Sequence, residues 1–132
     1  MGISLGLTIA GIQDAQAENL RMIAALRPDG ALGEAVQSVT IGLHRYLVVI
    51  RHVDTGTLRA AEQMEISESG LRGRVFTDPG AINPRSHRAA VDYEVFEEAR
   101  GGTHAAWERT VVERAPQLEG PALQIVVREM FG

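Results

Sequence analysis

Between Leu32 and Ile50 the apolar residues Leu32, Val36, Val39, Leu43, Tyr46, Leu47 and Ile50 recur every three or four positions. That spacing places them on one stripe of an α-helix. A helix of about twenty residues would run roughly 30 Å. Gln37, His44, Arg45 and Arg51 fall mostly off the stripe, so the pattern predicts a buried rod that forms the spine of the core.

Other periods surround it. Ile3, Leu5, Leu7 and Ile9 alternate with Ser4, Gly6 and Thr8, a period of two that predicts a strand ending at Gly11. Asp14 suits the N-cap of a short helix reaching about Leu26, and Pro28-Asp29-Gly30 spells a turn. Beyond the spine, Met64–Ser67 and Leu71–Phe76 predict two strands joined through Glu68-Ser69-Gly70, a β-hairpin. Asp78 to Arg88, with Pro79, Gly80 and Pro84, is a loop. Val91, Tyr93, Val95 and Phe96 fit a strand end or a helix start equally well. Trp107, Val111 and Val112 predict a helix from about Thr103 to Arg114. Pro116 and Pro121 suit the opening of a last helical segment carrying Leu123, Ile125, Val126, Val127 and Met130. The expected fold is α+β: one long central helix packed against a small antiparallel sheet containing a β-hairpin, with additional N- and C-terminal helices. Residues 1–132 make a single domain.

Composition narrows the function more than the fold. The chain has no cysteine, which excludes a disulfide framework, thiolate metal sites and a cysteine nucleophile. No apolar run approaches the roughly 18 residues of a membrane span, and no basic segment precedes an apolar core as in a signal peptide. The net charge of −4 does not favour nucleic acid for the chain as a whole. Every cationic side chain other than histidine is an arginine, which suits bidentate and interface pairing better than lysine.

Chemistry-bearing motifs are few. Asp54-Thr55-Gly56 spells the catalytic triplet of aspartic proteases, which need two such aspartates sharing a proton. With one copy the chain would have to dimerise, and the triplet follows a helical stripe where a protease needs a strand. A turn closing the long helix explains it better, with Asp54 and Thr55 capping the next turn and Gly56 allowing a close approach. His44, His52, His87 and His104 form no zinc-binding pair at helical spacing. Ser38, Ser67, Ser69 and Ser86 lie in no nucleophile elbow, and Arg100-Gly101-Gly102-Thr103 lacks the setting of a phosphate loop. No catalytic residue, cofactor or metal is expected.

One charge pattern stands out. Arg72, Arg74, Arg85 and Arg88, opposed only by Asp78, make the hairpin and loop basic. Asp92, Glu94, Glu97 and Glu98, opposed only by Arg100, make the next segment acidic. These are solvated faces, or a basic loop that meets a neighbouring subunit's acidic segment, or arginines around DNA in a pore.

The order of these features resembles the tail-completion, or head–tail joining, family of long-tailed bacteriophages, often called minor tail components. The resemblance runs from about Leu43 to Val112. A long helix leads to Val53-Asp54-Thr55-Gly56-Thr57-Leu58-Arg59-Ala60, a hairpin follows, and Tyr93, Glu97 or Glu98 and Gly101-Gly102-Thr103 come later. Three departures mark this chain: Glu94 follows Tyr93 where the family has alanine, extra residues precede Gly101, and the proline common before the first motif is His52 or Val53. The resemblance implies a non-enzymatic virion protein at the head–tail junction or upper tail, made in the host cytoplasm. It would form a homo-oligomeric ring, touching other neck or tail proteins (connector, tail terminator or tail tube) and DNA in the channel, with no membrane contact. Asp54, Thr55, Gly56, Leu58 and Arg59 would be its structural motif. The runner-up functions are a homodimeric aspartic protease using Asp54 and a small nucleic-acid-binding module using the surface from Arg72 to Arg88.

Overall fold

A computed structural model describes residues 2–51, 57–67 and 69–132, with side chains from residue 12 onward. The elements are α1 (Gly2–Ala25), α2 (Ala31–Ile50), α3 (Thr57–Ala61), β1 (Glu62–Ile66), β2 (Gly73–Thr77), α4 (Ala90–Arg100), a 3-10 turn (Gly102–His104), α5 (Ala106–Arg109), a π-helical turn (Thr110–Arg114) and α6 (Ala115–Phe131). The fold is α+β. The predicted spine is α2, and α1 and α6 are helices of comparable length rather than accessories to it.

The largest correction is at the N-terminus, where Ile3 to Ile9 belong to α1 and not to a strand. A strand needs a neighbour for its backbone N–H and C=O groups, whereas a helix satisfies its own. From Gln13 to Ala25 nearly every residue is a good helix former, so the helix extends back through Gly11 at a cost of about 1 kcal/mol per glycine. Asp14 therefore sits within the helix and does not cap it.

The hairpin forms as expected, antiparallel, with Glu62 opposite Thr77, Met64 opposite Val75 and Ile66 opposite Gly73. Its connection is closed by Ser67, whose N–H donates to the Arg72 carbonyl (2.8 Å) and whose carbonyl accepts from Gly70 N–H (2.8 Å). Gly70 has φ of +72°, a conformation glycine adopts without strain. Strand β2 lies against α2 so closely that a Cβ on Gly73 would overlap the Thr40 side chain.

The stretch from Val91 to Phe96, readable either way in the sequence, is helix α4. In the loop before it Asn83 is buried; its side chain accepts from Arg85 N–H (2.8 Å) and its backbone N–H donates to the Arg88 carbonyl (2.8 Å). The terminal helices run together as α5, the π-helical turn and α6. Pro116 lies in the first turn of α6, and Pro121 lies inside that helix and does not start one. Neither proline can donate to the preceding turn, and the widened π-helical turn stands directly before Pro116.

The described core is thin. Its buried apolar residues are Leu47, Leu58, Val126 and the alanines Ala25, Ala61, Ala90, Ala105 and Ala106. Of the α2 stripe only Leu47 is fully buried; Leu32, Val36, Val39, Leu43, Tyr46 and Ile50 are half-covered. The predicted rod is buried at its C-terminal end and open along much of its length.

Candidate functional site: a buried arginine hub and an open apolar surface

The residue after α2, Arg51, closes the helix with its N–H on the Leu47 carbonyl (3.0 Å) and sends its side chain into the protein. Its guanidinium is wholly buried and grips Glu62, also wholly buried, through Nε (3.0 Å) and Nη2 (2.7 Å). Glu94 and Glu98 of α4 approach the same group at 3.5 Å. Thr77 donates to Glu62 across the hairpin (3.3 Å), and the Glu62 carbonyl meets His44 Nε2 at 3.0 Å. Arg59 of α3 donates to the Arg51 carbonyl (3.1 Å). One side chain thus ties the end of α2 to β1 and α4.

Burial pushes the Glu62 carboxyl above its ordinary value. The Arg51 guanidinium pulls the other way by charge and hydrogen bonding, nearby Glu94 adds to the rise, and the Thr77 hydroxyl opposes it. The hub is a structural lock, because its carboxylates are directed at one another's counter-ion.

This placement changes the reading of the acidic segment. Glu94 and Glu98, for which the sequence leaves open both a solvated face and a contact with a neighbouring subunit, turn inward to Arg51. Glu98 also receives Trp107 N–H (2.7 Å) and so satisfies a free amide at the start of α5. Glu97 pairs with His104 (2.7 Å) and Arg100 (3.5 Å). The cause is the buried arginine: an uncompensated charge inside is so costly that carboxylates gather on it. Asp92 is the acidic residue of that segment left exposed.

The basic residues do remain outside. Arg72 and Arg74 are exposed on the hairpin, with Arg74 over the Phe76 ring (4.3 Å) and 3.4 Å from Glu65. Arg85 and Arg88 are exposed on the loop. Leu58 is buried in a cluster with Ala61 and Ala90. Asp54, Thr55 and Gly56, and with them the predicted turn and the protease aspartate, lie outside the described residues, as do His52 and Val53. Among the described residues no group of histidines and carboxylates could hold a metal ion, and no helix is long and apolar enough to cross a membrane.

Sequence reasoning missed the hub altogether. Its single signal was an arginine at the end of an apolar stripe, next to Ile50, where a helix dipole also favours a cation.

The second feature is the open apolar surface. A groove of about 460 Å³ runs between α2, the start of β2 and α6. Leu32, Val36, Val39, Leu43, Leu71 and Leu123 line it, with Arg72 and Glu119 as its charged residues. Another hollow, of about 480 Å³, lies between α2 and α6 against Leu118, Pro121 and Ile125. Large apolar side chains stand exposed on α1 (Ile12, Leu20, Ile23) and on α6 (Leu123, Ile125, Val127, Phe131). Comparison with protein-family models, with curated proteins and with solved structures returned no match for this chain.

Proposed function

We propose that this chain is a non-enzymatic structural subunit of the head–tail junction or upper tail of a long-tailed bacteriophage, working in a ring of identical copies. The order of sequence features from the long helix to Gly101-Gly102-Thr103 supplies the phage context. The observation that carries the reading is the amount of surface left open. The chain exposes 8825 Å². A compact monomer of its 14.3 kDa mass exposes about 6,800 Å². The excess of roughly 2,000 Å² per chain is what a subunit of an obligate assembly covers with its neighbours. Its composition agrees, since Leu20, Ile125, Val127 and Phe131 stand on the outside while Arg51 and Glu62 are buried.

The test is the position of the chain in particles. Particles labelled on this protein should carry the label on the head–tail axis, in several copies. Removing the gene should leave filled heads and tails unjoined. Particles that lack the protein, or carry it spread over the capsid, would refute the reading.

A further inference from the structure

Residues 12–21 of α1 are exposed, and α1 meets the body through α6 and at the buried Ala25. A helix standing in water should point its charges outward and its apolar groups at the body. This one does the reverse. Asp14, Glu18 and Arg21 share the face of Ala25, the residue by which α1 is buried in the body. Ile12, Gln16, Leu20 and Ile23, at spacings of four, four and three, share the opposite face, with Ile12, Leu20 and Ile23 between 51% and 67% exposed. An isolated helix of this length is marginal in water. An outward apolar stripe without a charge on it is the face of a helix that expects a partner.

The groove on α2 and α6 has the matching character. Its walls are Leu32, Val36, Val39 and Leu43 of the α2 stripe with Leu71 and Leu123, and its charged groups are Arg72 and Glu119. Beside the α1 stripe stand the amides Gln13, Gln16 and Asn19, which can donate to a carboxylate and accept from a guanidinium without burying a charge of their own. We infer that α1 of one copy lies in the groove of the next copy, its Ile12–Leu20–Ile23 stripe on Val36, Val39 and Leu123. The inference rests on the ring reading and specifies its contact. The two surfaces differ, so the contact is heterologous and repeats from copy to copy, closing a ring when the rotation closes. The area agrees: the excess of roughly 2,000 Å² is enough for each chain to give an arm and receive one.

The absence of cysteine makes the test clean. Full-length Leu20→Cys chain is mixed with a size-tagged chain carrying Leu123→Cys and mildly oxidised, since a disulfide requires Cα atoms within about 7 Å. Ile12→Cys and Ile23→Cys repeat the experiment along the arm, with Leu71→Cys as a second groove position. At least one arm–groove pair should give a mixed disulfide. Adding Ile23→Glu to the arm chain should abolish it and weaken self-association in sedimentation by roughly tenfold or more, with the helical circular-dichroism signal of the chain unchanged. Disulfides only between like arm positions would overturn the inference in favour of arm–arm pairing. No mixed disulfide at any pair would overturn it outright. Failure of the two readings is separable: arm–groove links in a protein absent from the head–tail axis refute the phage role alone. A protein on that axis without such links refutes the contact alone.

Discussion

Around Arg51 the protein keeps charge inside, and along α1, the first turns of α2 and α6 it keeps apolar groups outside. The first region is closed: guanidinium and carboxylate are wholly buried and every element near them is tied to them. The second is open, with Leu20 at 67% and Phe131 at 63% exposure. A chain that must be stable alone would reverse the two, because apolar burial is the main favourable contribution to folding and buried charge is costly. Under the ring proposal the apolar residues in the open half have a use outside the monomer. The ion pair in the closed half sets the geometry of three elements where a small alanine-rich core cannot.

The closed half should be the easier to break. Replacing Arg51 with leucine leaves Glu62 buried without its counter-ion and should cost about 3–5 kcal/mol in denaturant unfolding. Replacing both, Arg51→Leu with Glu62→Leu, should recover most of that loss, because neither charge is then stranded. A double variant as unstable as the single one would show that packing, and not charge, holds this region. The next effect lies where the halves meet. Gly73→Val places a branched side chain on Thr40, whose hydroxyl is already bound to the Val36 carbonyl (2.7 Å). Overpacking of this kind costs about 1–3 kcal/mol. A shift in the thermal midpoint measures it, and an unchanged midpoint would mean that the hairpin does not press on α2.

Much of this was visible in the sequence, and what was hidden has physical causes. The α2 stripe repeats through five turns, long enough for its period to be unmistakable, and the hairpin carries both alternation and a turn. Ile3 to Ile9 misled because seven residues alternating with Ser, Gly and Thr satisfy a strand pattern without saying whether a partner strand exists. The stripe also says which residues are apolar but not whether anything covers them, so Val36 and Val39 passed for core. The hub was illegible for a different reason. Arg51 finds its partners 11 and 47 residues away, and nothing local distinguishes Glu62 from Glu65.

Protonation offers a gentler probe of the closed half. In the fold the Glu62 carboxyl titrates above its ordinary value of 4.5, chiefly because it is buried. The folded state therefore holds this proton more tightly than the unfolded chain does. The corresponding stability is fully present below pH 4.5 and is lost as pH rises through the folded value. Glu62→Gln cannot ionise, so unfolding free energies measured across that window should show the variant gaining on wild type as pH rises. Parallel curves would mean that Arg51 compensates the burial of the carboxylate in full.

The smallest effect should come from the other arginine–glutamate pair on the same hairpin. Glu65 follows Glu62 on β1 by one turn of the alternation and a half, and its partner Arg74 sits directly opposite it on β2. The residue types are those of the hub, but the side chains are 55% and 56% exposed and the separation is 3.4 Å. Water screens such a pair and the two long side chains lose freedom to hold it, so its net worth is below about 1 kcal/mol. Stacking of Arg74 on Phe76 adds about 0.5–1 kcal/mol at an exposed site. Arg74→Ala should therefore lower stability by no more than about 2 kcal/mol, and high salt should remove part of the difference. A loss as large as that of Arg51→Leu would mean that burial is not what separates the two pairs.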